Sequence, residues 1–319
     1  MRYRKLGKTG LLVSEIGLGT AQLGGPSLIA GKYIGSPKIA KKEVFKILGI
    51  AYDAGVNFFD TSDKYGDGGA ERLLGKAFSK NRDKVILATK CGITAKGDRC
   101  FRKQYIKSCL GRSLKNLKTD YVDVFQMNKP PMDIIKSGRI YEVFDELKNQ
   151  GKIRFSGVSV GTEEEGARIV SDNKIDTLQV FYNLLHIRPN EFLLGKIFEA
   201  GIGLIIRSPL SGGVLTGKFN YNTKFSLTDD RALFLYGRIL TNRIDAVNMI
   251  KEHFKLRDAS DLLYLSLNYL LSNKKISTII PGVSKAGQLY DILKLSNIKR
   301  FSENKNLKIE NFIRDNYKG

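Results

Sequence analysis

Short runs of apolar residues alternate with amphipathic stretches along all 319 residues of the chain. Eight runs have the length and composition of strands, and most are apolar on both faces, as in a parallel sheet covered on both sides. The predicted strands are Glu15–Leu18, Phe58–Thr61, Val85–Lys90, Val122–Met127, Phe155–Ser159, Leu178–Tyr182, Gly203–Arg207 and Ser277–Ile280.

The stretches between these strands carry apolar residues at helical spacing. The first of them, Lys42–Ala54, places Val44, Leu48 and Ala51 on one face and ends before Gly55, a typical helix stop. The same logic predicts seven further helices, at Ala70–Phe78, Tyr105–Leu117, Ile140–Asn149, Glu163–Val170, Phe192–Ala200, Leu262–Ser272 and Ala286–Leu293.

Eight strands that alternate with eight helices predict an α/β fold, a closed (β/α)8 TIM barrel, formed as one domain by residues 1–319. The rival is a doubly wound sheet, which needs G-x-G-x-x-G directly after its first strand. The nearest run lacks the third glycine and therefore favours the barrel: Gly17-Leu18-Gly19-Thr20-Ala21-Gln22.

Two segments are additions to a minimal barrel. Arg2–Leu6 and Leu11–Val13 flank the turn residues 7–10, which predicts an N-terminal β-hairpin that plugs the barrel floor. Residues 213–245, after the seventh strand, are rich in Gly, Asn and Thr and predict a long loop. Loops of that length inside a compact fold are usually functional.

Composition points to an ordinary water-soluble protein, with 42% hydrophobic and 27% charged residues. No apolar stretch approaches the roughly 18 residues of a membrane span, and the N-terminus lacks the apolar core of a signal peptide, so we expect a cytoplasmic protein. Three cysteines, Cys91, Cys100 and Cys109, are expected to be reduced thiols. Their spacing fits no zinc site, and we expect no metal.

The net charge is +21, from 53 basic and 32 acidic residues. Such an excess is typical of proteins with an anionic partner, such as nucleic acid, an acidic membrane surface or a phosphorylated ligand. The basic residues are spread along the chain, without a basic tail or a block interleaved with aromatics. We therefore favour a lysine-rich solvated surface, part of which serves an anionic cofactor, over nucleic-acid or membrane binding.

The candidate chemistry lies where a barrel places its catalytic groups, at the C-terminal ends of strands. Asp60 and Tyr65 follow the second predicted strand, and Lys90 ends the third. A free tyrosine has a pKa of about 10 and keeps its proton at neutral pH. A neighbouring lysine that is anchored by a carboxylate eases release of that proton to a substrate oxygen, which is the chemistry of carbonyl reduction.

These positions stand inside a longer motif that resembles the signature of the aldo-keto reductase superfamily. The resemblance is carried by Asp60-Thr61-Ser62-Asp63-Lys64-Tyr65-Gly66, Glu71-Arg72-Leu73-Leu74-Gly75, Gly17-Leu18-Gly19-Thr20, Ala88-Thr89-Lys90, Gly157-Val158-Ser159, Ser208–Lys218 and Ile280-Pro281-Gly282. It implies that Tyr65 is the general acid in reduction, that Lys90 lowers the pKa of Tyr65, and that Asp60 holds Lys90 by a salt bridge.

The fourth catalytic position departs from the usual pattern. Most members of the superfamily have a histidine there, whereas this chain has Asn128, as do the β subunits of potassium channels. Neither His186 nor His253 matches the position. An asparagine amide can donate a hydrogen bond to a substrate carbonyl, but it is shorter than histidine and cannot become charged. We therefore expect altered or slow reductase activity.

The resemblance also implies a nicotinamide cofactor, with NADP(H) preferred and NAD(H) possible. Ser159 and Gln179 would hold the carboxamide, Arg207 would stack on the nicotinamide, and Lys285 would meet a 2′-phosphate. Ser208–Lys218 offers three glycines and a lysine, which suits backbone N–H wrapping of a pyrophosphate. The implied cofactor-binding residues are Thr20, Ala21, Asp60, Ser159, Gln179, Arg207, Ser208, Pro209, Leu210, Gly212, Lys218, Gly282, Ser284, Lys285, Gln288 and Asp291.

The leading hypothesis is an NADPH-dependent oxidoreductase that interconverts an aldehyde, ketone or sugar carbonyl with its alcohol. The alternative, suggested by Asn128, is a nicotinamide-binding sensor or regulatory subunit with weak or vestigial activity. The segments Pro26–Ile39 and Lys129–Lys136 are expected to border the substrate pocket. Their basic residues suggest an anionic, sugar-like substrate, with ordinary lysine bias as the other explanation. The sequence leaves the oligomeric state open.

Overall fold

A computed structural model describes residues 1–317, and its largest sheet has eight strands, all paired in parallel. In chain order the strands of the described residues are β1 Tyr3–Lys5, β2 Leu12–Ser14, β3 Leu18–Gly19, β4 Pro26–Ile29, β5 Lys32–Gly35, β6 Phe58–Asp60, β7 Ile86–Cys91, β8 Val122–Asn128, β9 Ile153–Ser159, β10 Thr177–Phe181, β11 Gly203–Arg207 and β12 Thr278–Ile280. Strand β3 and strands β6 to β12 form the eight-stranded sheet in sequence order, which confirms the predicted (β/α)8 architecture.

Backbone bridges between its first and last strands close the sheet into a barrel. Ile16 pairs with Ile279, and Gly19 pairs with Gly282, both in parallel. The Gly17 amide donates to the carbonyl of Ile279 at 2.8 Å, and the Ile279 amide donates to the carbonyl of Glu15 at 3.0 Å. The predicted first strand, Glu15–Leu18, is thus displaced: regular pairing begins only at Leu18, and the residues before it reach β12 through single bridges.

Helices cover the outside of the barrel, and each of the eight predicted helical stretches is helical in the structure. Within residues 1–317 no helix is both long and apolar enough to cross a membrane. The helices are α1 Lys41–Asp53, α2 Gly69–Phe78, α3 Lys103–Leu117, α4 Met132–Ser137, α5 Arg139–Asn149, α6 Glu163–Asp172, α7 Arg188–Phe192, α8 Leu194–Glu199, α9 Gly237–His253, α10 Ala259–Ser272, α11 Ala286–Leu293 and α12 Glu303–Asn316.

Two sequence predictions are corrected in detail. The stretch Phe192–Ala200 is two short helices rather than one, because buried Leu193 leaves the helical conformation with φ −128° and Pro189 starts the first helix early. Residues 213–245 are not a loop throughout, because α9 begins at Gly237 and carries Leu240, Ile244 and Val247 on a buried face. Before α9, this segment holds short 3₁₀ turns.

The N-terminal hairpin lies at the floor of the barrel, as predicted. Strands β1 and β2 pair antiparallel, and Leu6 and Val13 are fully buried in an interior cluster with Phe58, Val124 and other barrel residues. Leu6 fills the place that a side chain at position 203 would need, so the strand β11 begins with glycine. A second, larger apolar core lies between the sheet and the helices.

We predict that Leu6→Ala lowers the free energy of unfolding by about 2–5 kcal/mol, since it empties a packed site at the barrel floor. Leu12→Ala in the same hairpin is the matched control, because Leu12 is 57% exposed and its loss should cost less than about 0.5 kcal/mol. Urea titration of both variants measures the difference. Equal stabilities would show that the hairpin does not support the barrel.

Candidate active site

A buried ion pair stands at the C-terminal ends of β6 and β7. Lys90 Nζ lies 2.5 Å from Asp60 Oδ2 and also donates to the carbonyl of Thr61 at 2.7 Å. Both charged side chains are 3% exposed. Charges removed this far from water need a partner at every polar atom, because desolvation otherwise exceeds their mutual attraction.

The second carboxylate oxygen of Asp60 is held by two amides. Gln126 Nε2 donates to Asp60 Oδ1 at 3.1 Å, and Gln179 Nε2 donates to the same oxygen at 2.8 Å. Ser159 Oγ in turn donates to Gln179 Oε1 at 3.2 Å. Gln126 is absent from the predicted site residues. Its one sequence signal is a polar side chain inside the apolar run of β8, and only the structure shows that it stands in register with Lys90.

The phenol of Tyr65 stands beside this pair. Its ring centre is 5.0 Å from Lys90 Nζ. Burial raises the pKa of Tyr65 above its ordinary value, while Lys90 and Arg207 act in the opposite direction. Burial alone would lower the pKa of Lys90, but Asp60 and Tyr65 raise it above its ordinary value. The phenol therefore keeps its proton at neutral pH, next to an ammonium that stabilises the phenolate whenever the proton leaves.

Hydrogen bonds to the backbone of Lys90 hold the turn that presents Tyr65. The amide of Asp63 and the hydroxyl of Ser62 both donate to the Lys90 carbonyl at 3.1 Å. Gly66, directly after the tyrosine, has φ +62°, and a side chain there would collide with the backbone of Gly24. The turn is thus fixed to the strand that carries the lysine, and the glycine of the motif is required by both its conformation and its surroundings.

The hairpin β4–β5, which the sequence predicted only as a pocket-bordering segment, supports this turn from the other side. The buried hydroxyl of Ser27 donates to the carbonyl of Lys64 and accepts from the amide of Gly66 at 3.1 Å, so it spans the peptide groups on both sides of Tyr65. At the far end of the hairpin, the amide of Gly35 donates to the carbonyl of Thr228 at 3.0 Å. The hairpin therefore connects the tyrosine turn to the segment that follows β11.

Asn128 ends β8 in register with Ser159 and is partly exposed at the same mouth. Neither histidine takes its place. His186 Nε2 is 3.0 Å from Glu163 Oε1, and burial lowers the pKa of its imidazole. His253 stacks on Phe312 with ring centres 3.8 Å apart and packs α9 against α12. The amide of Asn128 is therefore the side chain that stands at the position where the resemblance implies a histidine.

Of the residues predicted to line a cofactor, Asp60, Ser159 and Arg207 end barrel strands, Gln179 lies within β10, and Thr20, before Ala21, is bonded by its amide and hydroxyl to the carbonyl of Asp60. The others form two groups. The first follows β11, where Ser208, Ser211, Gly212 and Gly213 all have positive φ values, between 51° and 101°. These conformations fold the loop back on itself, so that the amides of Ser211 and Gly213 donate to the carbonyls of Ser208 at 3.0 Å and Leu210 at 2.9 Å. Lys218 lies beyond it and is exposed.

The second group follows β12. Gln288 Oε1 accepts from the amides of Ser284 at 2.8 Å and Lys285 at 3.2 Å, and Asp291 pairs with Lys294 at 2.9 Å. Gln288 and Asp291 thus stabilise α11 and its approach, whereas the side chain of Lys285 is exposed. The structure does not bring Ser284, Lys285, Gln288 or Asp291 into contact with Asp60, Tyr65 or Lys90.

Polar atoms without partners surround the mouth. Arg207 Nη2 donates to the carbonyl of Val160 at 3.1 Å and its guanidinium lies 5.1 Å from the ring centre of Phe181, but its Nε is buried without a hydrogen bond. Gln22 Oε1, beside Gly282, and Thr61 Oγ1 are also buried and unpartnered. Buried polar atoms are normally hydrogen-bonded, so this set fits a polar ligand that completes the site.

A cavity of about 1400 Å³ lies elsewhere, at the barrel floor. Its Glu15 pairs with Arg4 at 2.6 Å and with Arg300 at 2.5 Å, while Arg300 Nε and Asn306 Oδ1 are buried without partners. None of the candidate catalytic residues lines it. Size alone does not make this cavity the site of chemistry.

Comparison with known proteins gives relatives over nearly the whole chain. The profile described as "Aldo/keto reductase family" matches residues 15–314. The uncharacterized oxidoreductase YqkF of Bacillus subtilis is 31% identical over 308 residues, covering 95% of this chain and 94% of its own. The aldo-keto reductase YhdN of the same species is 30% identical over 326 residues, covering 99% and 96%.

Solved structures agree. The holo form of the aldo-keto reductase AKR11C1 from Bacillus halodurans superposes with a TM-score of 0.80 at 26% identity, covering 98% of this chain and 96% of that one. Its apo form gives 0.73 at 25% identity, with 98% and 95% covered. The glycerol dehydrogenase AKR11B4 from Gluconobacter oxydans gives 0.78 at 20% identity, over 98% and 95%, which shows the shared fold.

We predict that Lys90→Met lowers the free energy of unfolding by about 3–5 kcal/mol, because it leaves the Asp60 carboxylate buried without its cation. The double variant Asp60→Asn/Lys90→Met removes both charges and should recover most of the loss. Urea titration of the two variants and the wild type measures both effects. A single variant as stable as the wild type would contradict the described burial of the pair.

Proposed function

The chain belongs to the aldo/keto reductase family, and from that membership we propose that it catalyses NADPH-dependent interconversion of a carbonyl compound and its alcohol. The substrate would be an aldehyde, a ketone or the carbonyl form of a sugar. The observation that carries the proposal is the buried pair of Asp60 and Lys90, with the phenol of Tyr65 beside it at the mouth of the barrel.

In this mechanism a bound nicotinamide supplies the hydride for the carbonyl carbon. Tyr65, which keeps its proton at neutral pH, donates that proton to the carbonyl oxygen. Lys90 stabilises the phenolate that forms, and Asp60 keeps the ammonium charged and in place. Because the side chains of Gln126 and Gln179 fix the carboxylate in turn, little of this arrangement has to reorganise during the reaction.

Asn128 would orient the substrate carbonyl by donating a hydrogen bond from its amide. It lies at the end of β8, where it shares the mouth with Ser159 of the neighbouring strand. Since an amide carries no charge, it stabilises a developing alkoxide less than an imidazolium does. We therefore propose a reductase with slower turnover than a histidine-containing member would have.

For the cofactor we propose NADP(H) in preference to NAD(H). The exposed Lys285 and Lys218 have no carboxylate within 4.0 Å in the part of the chain that the structure describes, so their charges are available to phosphate groups. Ser159 and Gln179 would hold the carboxamide, and Arg207 would stack on the nicotinamide.

We predict steady oxidation of NADPH with at least one member of a panel of aldehydes, ketones and sugars, and a fall in kcat of about 10²–10⁴-fold in Tyr65→Phe, which removes the proton donor. Absorbance at the NADPH band measures both. Tyr3→Phe is the control, because it removes the same hydroxyl from the floor of the barrel, where Tyr3 bonds to Gly55.

Two outcomes would overturn the function. One is NADPH oxidation limited to about one equivalent per protein molecule with every carbonyl tested. The other is Tyr65→Phe turning over as fast as Tyr3→Phe, which would remove the phenol from the mechanism.

We further predict that Lys285→Met raises the Kd for NADPH about 10-fold and leaves the Kd for NADH unchanged, because a charge-assisted contact to the 2′-phosphate is lost. Lys299→Met, which removes another exposed lysine, is the matched control. Fluorescence titration with each dinucleotide gives the constants. An equal change for both cofactors would contradict the assignment of Lys285 to the 2′-phosphate.

A further inference from the structure

Three basic residues are neighbours at the mouth: Arg99 from the loop after β7, Lys129 from the loop after β8, and Arg207 at the end of β11. Arg99 Nη1 donates to the carbonyl of Lys129, whose amide donates to the carbonyl of Ser159 at 2.6 Å. Arg207, from β11, donates to the carbonyl of the next residue, Val160. The Arg99 and Arg207 side chains are thus hydrogen-bonded to the backbone at and beside Lys129, where the ends of β8 and β9 adjoin.

Among residues 1–317, no carboxylate lies within 4.0 Å of the basic groups of Arg99, Lys129 or Arg207. Asp60 acts on Arg207 from beyond that distance and is already paired with Lys90. Glu165 is the acid that acts on Lys129, but its Oε2 accepts from the amides of Gly161 and Thr162 at 2.7 and 3.2 Å and so caps α6.

The surroundings of Lys129 disfavour the charged form of its side chain. Burial, reinforced by the repulsion of Arg207 and Arg99, lowers the pKa of Lys129 to about 8. Its backbone also holds φ +52°, a left-handed conformation that a lysine adopts only at a cost. Arg99 is exposed, whereas Lys129 and Arg207 are partly buried. Repulsion among these cations contributes nothing to stability, whereas a bound anion would remove it.

The position of Lys129 and Arg99 separates them from the predicted cofactor phosphates. Those phosphates are assigned to Ser208–Lys218 and Lys285, after β11 and β12. Arg99 and Lys129 follow β7 and β8, which lie on the other side of the eight-stranded ring. Lys129 instead adjoins Asn128, the residue proposed to orient the substrate carbonyl.

We propose that Lys129, with Arg99 beside it, forms an anion subsite for the substrate, and that the preferred substrates are small aldehydes, ketones or sugars that carry a carboxylate or a phosphate. This inference rests on the proposed reductase function. The anionic group takes no part in the chemical step: it binds the ammonium and the guanidinium and so places the carbonyl between Tyr65 and Asn128.

The test compares kcat/KM within two matched pairs, succinic semialdehyde against butanal and glyceraldehyde 3-phosphate against glyceraldehyde, all with NADPH. We expect the wild type to favour the charged member of at least one pair by 10-fold or more at low salt, and less as salt screens the contact. The pair with the larger ratio tells whether carboxylate or phosphate is preferred.

In Lys129→Gln the charged substrate should lose about 10-fold in kcat/KM, mostly through KM, while the neutral one changes less than 2-fold. Lys129→Arg should keep the preference, because it keeps the charge, and it also serves if the glutamine variant fails to fold. Lys80→Gln is the matched control, since it removes an exposed lysine before β7, at the opposite end of the barrel.

Equal kcat/KM for the charged and neutral members in the wild type would overturn the subsite and leave the reductase function intact. Failure to reduce any carbonyl would overturn the function instead, and calorimetric titration of the NADP⁺-loaded protein with inorganic phosphate and with succinate then decides on the subsite. Binding that is lost in Lys129→Gln and kept in Lys80→Gln supports it, and absence of binding to the wild type overturns it.

Discussion

The site depends on one ion pair that is buried inside a β-barrel. Removing a carboxylate and an ammonium from water costs several kcal/mol each, which their attraction offsets only if every remaining polar atom has a partner. Here the partners come from four strands: Asp60 from β6, Lys90 from β7, Gln126 from β8 and Gln179 from β10. These four side chains can meet only if their strands end at the same height of the barrel. The register of the sheet therefore sets the geometry of the site.

Tyr65 is the one proposed catalytic group that no strand carries directly. Its turn is fixed on one side to the backbone of Lys90 and on the other to Ser27 of the hairpin β4–β5. Since the same hairpin bonds to Thr228, ten residues beyond the predicted cofactor loop Ser208–Lys218, it links the turn of Tyr65 to the segment that follows this loop.

The sequence predicts the barrel well because buried parallel strands and amphipathic helices leave strong periodic patterns. It also predicts that Asp60 and Lys90 meet, since they end two successive parallel strands whose C-terminal ends lie at the same mouth. It misses the hairpin β4–β5, whose exposed Leu28 and Tyr33 follow no inside–outside alternation, and it misses Gln126, whose role depends on register with Lys90. The cofactor-binding residues are predicted from family resemblance, because residues in loops carry no periodic signal. They remain predictions.

The joint that closes the barrel, where β3 lies between β6 and β12, has few backbone pairs. Strand β3 pairs with β6 over two residues and meets β12 only through single bridges, whereas β8 and β9 pair over six positions. We therefore expect transient opening to begin at this joint, and its amides to exchange with solvent hydrogen before those of the central strands. Thr20 follows one strand of this joint and Gly282 follows the other. A molecule that binds to both residues in the folded state would therefore hold the joint closed and raise the free energy of unfolding.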